Sequence, residues 1–586
     1  MSAIKSWGSV LFALCSLAVW SEYAYSFPIQ SDEGSVTGSF DSQYTMGFGY
    51  RLLGQQCGLV GNPNTSGTCN SSNVNTYAFS NGDNGDLNYN RGDFFALNFK
   101  GTNELLLQLP DDYKFMARGS YLYDFVAPNT ERTPLSSAAT SLAARDVRLL
   151  DLWVSKDLVI NGERARWRLG NQVQNWGESI WGVGGINATN ALDYMKLAMP
   201  GTQIKEAILP APMLSFSTGL GHGLNVDTYY QFMWNKNYYS PVGTYWSNSD
   251  IFGRGAGPTY TGFDPAGCAS VAGNPALYAA SSCPAENNLY AGLAGDAHAR
   301  NGGQYGIALH MKPEGSVVDL GAYFINYHDK SPVLSMNPGA APAGQNPATT
   351  YYGNYQWHYL ENRKLFGLSA NAPMGDWALG WELSYRPHDA VATSSCGPTS
   401  VAGGNCNLWV DAQHWQMHLT SQLNLTPSNG ETLLKLLGGA QYAVTTTELV
   451  GIRFNGVNSS GPYTPDAGYY FTPGTTNTAS GYSALGTANS YGITTDFNWT
   501  YDGTVIPGWQ LTPGVTYYRA LSGVTPTFTA NYMQGAENAN FYVLFNQNPS
   551  VWQAGINYTT FFGAHCCLNQ PYFDRDFIGG FITRNF

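Results

Sequence analysis

RARWRLGNQV, residues 164–173, runs straight into QNWGESIWGVGGINATNALDYMKLAMPGTQIKEAILPAP, residues 174–212. In the first piece Ala165, Trp167 and Leu169 alternate with Arg164, Arg166 and Arg168, the period of a β-strand. One face of such a strand must meet hydrocarbon or protein, and the other must meet water or countercharge. The wall of a transmembrane β-barrel supplies both environments at once. The three arginines and Gln172 are therefore expected on the lumen side, with Trp167 outward.

The same two-residue rhythm recurs along the chain. Val36, Phe40, Tyr44, Met46, Phe48 and Tyr50 share a face, as do Trp377, Leu379, Trp381, Leu383 and Tyr385. In 409–425 an apolar face of Trp415, Met417 and Leu419 opposes His414, Gln416 and His418. Turn residues at Pro110-Asp111-Asp112, Asn161-Gly162, Gly221-His222-Gly223, Pro313-Glu314-Gly315, Met374-Gly375-Asp376, Ser428-Asn429-Gly430, Asp502-Gly503 and Asn548-Pro549-Ser550 mark short connections. Between them lie long Gly/Asn/Ser/Thr/Pro-rich segments near 51–90, 127–145, 175–210, 235–300, 329–360, 388–408, 447–490, 521–537 and 564–574. Strict alternation of short and long connections predicts an all-β, antiparallel outer-membrane β-barrel of about 18 strands, within a range of about 16–20, with short periplasmic turns and long external loops. A soluble propeller or β-helix would instead show a repeat unit.

Composition agrees. Of 586 residues only 12% are charged, while glycine (67), tyrosine (39) and aromatics overall (14%) are abundant. The formal net charge of −12 argues against a nucleic-acid partner. Lys5, an apolar run from Val10 to Trp20 and Ala24-Tyr25-Ser26 read as a secretory signal peptide over 1–26, leaving 27–586 as one barrel domain. The predicted location is the outer membrane of a Gram-negative bacterium. A terminal aromatic, Phe586, closes an alternating stretch and resembles the signal read by the outer-membrane assembly machinery, although Arg584 departs from the apolar preference.

The remaining eight cysteines, Cys57, Cys69, Cys268, Cys283, Cys396, Cys406, Cys566 and Cys567, fall two to a long loop, with none expected in a strand. The pairs 57–69, 268–283 and 396–406 suit disulfides in an oxidising compartment, and a vicinal bond between Cys566 and Cys567 is strained. No spacing matches a zinc site, and no nucleophile motif, Walker loop or dinucleotide fingerprint is present. Neither a metal nor a cofactor is expected. His414 and His418 lie about 13 Å apart along one strand face, too far to share a metal, and read as lumen-lining polarity.

The runs NGDLNYNRGD (84–93), RGSYLYDF (118–125), RLGNQVQNWGES (168–179) with GGIN and ALD, PGTQIKEAILPAPML (200–214) and GTYWSNSDIFGRGA (243–256) resemble the Gram-negative family called domain of unknown function 1302. The resemblance is close over the first half and rests mainly on strand pattern in the second. It implies a large outer-membrane barrel in contact with outer-membrane lipid. It also implies, from the genes that neighbour such proteins, a periplasmic partner of the domain-of-unknown-function 1329 family and an RND-type exporter, and hence traffic of apolar molecules. The expected function is an outer-membrane channel or conduit for apolar or lipid-like small molecules, not an enzyme. The alternative is a lipid-modifying enzyme or an external binding platform without transport.

Segment 175–210 is richer in Trp, Ile, Leu and Met than the other long loops, which makes a free, solvated loop costly. Two arrangements satisfy this: a lid packed over the barrel mouth or against a neighbour, or the favoured one, a fold into the lumen. In the second, Glu178, Asp193, Lys196, Lys205 and Glu206 are expected to pair with Arg164, Arg166 and Arg168 and to set which solute passes.

Overall fold

The computed structural model describes residues 27–31, 34–56, 59, 68–69, 84–260, 290–338, 352–393, 405–457, 486–564 and 569–586. Its principal sheet has nineteen strands. One is a short N-terminal strand, Phe27–Gln30, paired to the start of the next. The other eighteen form a closed antiparallel barrel.

In chain order these are β1 Thr37–Arg51, β2 Phe94–Gln108, β3 Tyr113–Asp124, β4 Arg145–Ile160, β5 Glu163–Gln172, β6 Ala211–Gly221, β7 Leu224–Gln231, β8 Gln304–Met311 and β9 Asp319–Tyr327. They continue as β10 Arg363–Met374, β11 Trp377–Ala392, β12 Trp409–Leu425, β13 Tyr442–Asn455, β14 Asn489–Asp502, β15 Trp509–Ser522, β16 Ala536–Gln547, β17 Trp552–Gly563 and β18 Phe577–Asn585. Each pairs with its sequence neighbours, and β1 closes on β18 through Gln43↔Asn585 to Arg51↔Phe577. Closure leaves no edge strand to aggregate.

Register fixes which residues point out. Leu169, Leu214, Tyr230 and Tyr305 are consecutive partners across β5 to β8, and they are 44%, 42%, 42% and 43% exposed. A row of apolar side chains open at one height is the outer surface of a membrane barrel. Arg164, Arg166 and Arg168 have the opposite parity from Leu169 and lie on the inner face. Arg584 has the parity of exposed Ile582, yet its guanidinium sits 5.0 Å from the Trp552 ring and 4.7 Å from the Phe586 ring. Flanking aromatics lower the cost of a cation at the outer surface.

The short connections follow from turn chemistry. Asn161 and Gly162 both take positive φ, 52° and 85°, the two-residue turn whose twist suits a hairpin. One short connection differs from the sequence expectation. Ser428-Asn429-Gly430 is not a tight turn but lies in a helix, Pro427–Leu436. Pro427 stands in the first turn, the Asn429 carboxamide oxygen accepts from the Thr426 N–H at 2.6 Å, and Leu434 buries against Ala440 and Ala443. A TPSNG run that looks like a turn is also a helix start.

Two long segments begin later than expected, because β11 continues through Ala392 and β13 through Asn455. On the long-loop rim, Thr259–Tyr260, Tyr290–Leu293, Tyr352–His358, Val333–Pro338 and Cys406–Asn407 form a second, five-stranded sheet. Tyr355, Trp357, Leu334, Ile251 and Phe528 pack as its core. Cys69 also belongs to a two-residue ladder, opposite Gln55. The expectation that no cysteine is in a strand is therefore corrected, since short ladders occur within the long loops. Cys406 is disulfide-bonded. Cys57, Cys268, Cys283, Cys396, Cys566, Cys567 and the segment read as a signal peptide lie outside the described residues.

Candidate functional site

The connection between β5 and β6 is the one the sequence singled out. It leaves and returns at Gln172, whose side chain donates to the Met213 carbonyl (3.0 Å) and accepts from the Ser215 hydroxyl (2.9 Å), pinning the two strands together. Trp176 then packs on inward Tyr229 and Tyr323, with ring centroids 5.2 and 6.1 Å away.

Residues 178–186 meet the inner face of β11 to β13. The Glu382 carboxylate accepts the N–H of Glu178 (2.8 Å) and of Ile186 (2.6 Å). The Glu448 carboxylate accepts the N–H groups of Ile180 (3.3 Å), Trp181 (2.6 Å) and Gly182 (2.8 Å), and is also 2.7 Å from His418 Nδ1. Gln416 donates to the Val183 carbonyl at 2.8 Å, and Arg386 to the Gly185 carbonyl at 2.7 Å. Glu382 and His418 are fully buried. A buried carboxylate needs donors, and a non-helical backbone needs acceptors, so each satisfies the other through charge-assisted bonds. His414 is also buried, with Nδ1 2.5 Å from Asp389 and 2.8 Å from Arg386.

The segment then crosses to the opposite wall. Asp193 pairs with Arg148 on β4 at 2.6 Å, Lys196 with Asp146 at 2.9 Å, and Glu206 with Lys100 on β2 at 3.2 Å. Lys205 reaches Glu104 at 3.6 Å, and Glu178 accepts from Asn371 at 2.8 Å. Between these, Pro200-Gly201 lies against inward Gly47 on β1 and Phe581 on β18.

The structure does not pair these charges with the arginine stripe, and that expectation is corrected. Arg166 bonds Asp157 on the adjoining strand, and Arg168 stacks over Trp153 at 4.3 Å. Among the described residues no ion pair is recorded for Arg164. The physical reason is proximity. Carboxylates on β4 face the stripe directly, so the segment's own charges find partners on other strands. Sequence reading also missed Glu382, Arg386, Glu448, Arg148, Asp146 and Lys100. Glu382 and Arg386 carried a signal: they have inward parity within the strand that presents Trp381 and Tyr385 outward.

Above the segment, toward the long loops, lies a cavity of about 160 Å³ bounded by Asn187, Asn190, Asp329, Lys330 and His414. Burial pushes the Asp329 carboxyl up to about 7 against the pull of Arg363, and pushes the Lys330 ammonium down to about 7. Beside the segment, toward β16 and β17, lies a second cavity of about 340 Å³. Among the described residues, 173–210 makes no hydrogen bond or ion pair to β14–β17.

A family described as a protein of unknown function, DUF1302, matches residues 7–586, nearly the whole chain. The chain belongs to the DUF1302 family. No curated protein matches it. Among solved structures, this DUF1302 chain is similar to OpdK of Pseudomonas aeruginosa with vanillate, at 9% identity and a TM-score of 0.39, over 93% of this chain and 97% of that one. It is similar to OccAB1 of Acinetobacter baumannii, at 10% identity and 0.40, over 97% and 99%. Salmonella typhi OmpF, in complex with daunomycin, matches at 8% identity and 0.36, over 95% and 100%.

Proposed function

We propose that this DUF1302 protein is an outer-membrane channel of a Gram-negative bacterium whose lumen is narrowed by segment 173–210. The observation that carries the reading is the attachment of that one segment to inward side chains on both walls of a closed barrel, from Glu382 and Glu448 on one side to Arg148 and Lys100 on the other. A lid over the mouth would not reach mid-strand residues around the wall.

Apolar or lipid-like cargo is part of the proposal. Ile180, Trp181, Val183, Leu197 and Ile204 are 45%, 38%, 37%, 45% and 65% exposed on this segment. Apolar side chains left open on a structure otherwise tightly bonded mark a surface that meets apolar solute. Delivery from or to a periplasmic domain-of-unknown-function 1329 partner and an RND-type exporter belongs to the same proposal.

The test is deletion of 180–205 followed by single-channel recording in planar bilayers. Conductance rises while the barrel still shows heat-modifiable migration. An unchanged conductance in the folded deletion variant overturns the constriction.

A further inference from the structure

The charged side chains of segment 173–210 are spent on holding it. Asp193, Lys196 and Glu206 are buried and ion-paired to the wall. The space the segment leaves beside β16 and β17 is different in kind. Its segment side is Leu197, Met199 and Pro200, and its wall side includes Asn538, Asn540 and Asn557. No Asp, Glu, Lys, Arg or His lines it. Trp246 closes one part of it.

The wall amides form a partly satisfied ladder. Asn540 Oδ1 accepts from Asn557 Nδ2 and from the Thr559 hydroxyl, each at 2.8 Å. Those bonds leave the Asn540 amino group and the Asn557 carbonyl oxygen with capacity to spare, and Asn538 makes no side-chain bond to a described residue. An amide ladder of this kind offers both donors and acceptors. Further along the inner face, the Asp496 carboxylate is occupied by Thr516 (2.7 Å), Asn498 (2.7 Å) and the Tyr542 hydroxyl (3.0 Å).

We propose that this cavity is a binding subsite for an uncharged amphiphile, with its apolar face on Leu197, Met199 and Pro200 and its hydroxyl or carbonyl edge on the asparagine ladder. The proposal deepens the channel reading and rests on it for any consequence in transport. An ion entering this open-sided pocket would give up part of its hydration to neutral groups with no countercharge, which disfavours charged solutes. A purely apolar solute would strip the amides of water without replacing their hydrogen bonds. A molecule with one face of each kind avoids both costs, and a cavity of about 340 Å³ accepts one the size of a small glycoside.

The probes are p-nitrophenyl β-glucoside, which is neutral, and p-nitrophenyl β-glucuronide, the same size with a carboxylate. Each is titrated into the full-length protein in detergent. The readout is quenching of Trp246 fluorescence, taken as the difference between the chain and a Trp246→Phe variant. The glucoside quenches saturably and the glucuronide binds about tenfold or more weakly. The double variant Leu197→Asn/Met199→Asn, the first position exposed and the second half-buried, weakens glucoside binding about tenfold while heat-modifiable migration is kept. Equal quenching by the two probes overturns the preference for uncharged molecules. Undiminished glucoside binding in the folded double variant overturns the location. Saturable quenching in a protein that carries no KCl current in planar bilayers would remove the channel reading and leave the subsite standing.

Discussion

Glu448 accepts three consecutive backbone N–H groups and faces a histidine with the same carboxylate. Replacing it with leucine leaves those part-buried donors without their acceptor, at up to about 1–3 kcal/mol for each unsatisfied group. Glu448→Leu therefore frees residues 180–182 from the wall. Limited proteolysis of the purified protein, followed by mass spectrometry, reports new cleavage in this stretch, and Glu448→Gln, which keeps one acceptor oxygen, gives less. Asp250 offers a second test at this scale. It lies in the long loop after β7, accepts from the Asn84 N–H (3.0 Å) and carboxamide (2.7 Å), and burial raises its carboxyl to about 7. A raised carboxyl pKa favours the folded contact below pH ~4, and that contribution is lost as pH climbs through about 7. Hydrogen exchange at 84–87, corrected for its intrinsic pH dependence, is expected to be slower at pH 5 than at pH 8.5. Asp250→Asn flattens the difference.

Among the elements, the long loops are stitched by buried charge. Arg51 at the end of β1 meets Asp86 at 2.6 Å and Asp574 at 3.4 Å, with Arg575 beside them, and all four side chains are closed to solvent. Asp86→Ala removes a buried carboxylate from beside Arg51 and Arg575, a loss of about 3–5 kcal/mol for a buried pair broken on one side. The first and last long loops are expected to open to protease while the barrel keeps its heat-modifiable migration. How much of this was legible follows from period and distance. Strand alternation is local, so the eighteen strands could be read from the chain alone. The partners of Asp193 and Glu206 could not, because they depend on which strand the segment reaches after crossing. The arginines are the nearest countercharge in sequence, but Asp157 on the adjoining strand already takes Arg166. The helix at Pro427–Leu436 was hidden by turn residues that also begin helices.

At the scale of the whole molecule, the outer face must suit hydrocarbon all the way round. Ile307 is 41% exposed, with Phe324 opposite it and Phe366 next along. An arginine there costs about 2–4 kcal/mol if it sits near the bilayer midplane. Ile307→Arg is expected to lower the folded yield in lipid vesicles strongly, as read by heat-modifiable migration. Arg166→Gln, on the inner face and half exposed beside Asp157, is expected to change it little.

The attachment of 178–186 to Glu382 and Glu448 is made to backbone N–H groups, not to side chains. From Ile180 to Gly185 the wall therefore holds the backbone without reading the side chains. Ile180, Trp181 and Val183 can be exchanged for residues of other size or polarity while the same bonds remain. Proline at 180–182 is excluded because it has no N–H to give. Gly184 and Gly185 are fixed by positive φ (104° and 63°) and by Gln416 and Glu382, which stand where a Cβ would be. In the channel proposed above, placement and preference at 180–183 are thus carried by separate atoms, so the preference can change by substitution there while the backbone keeps its place.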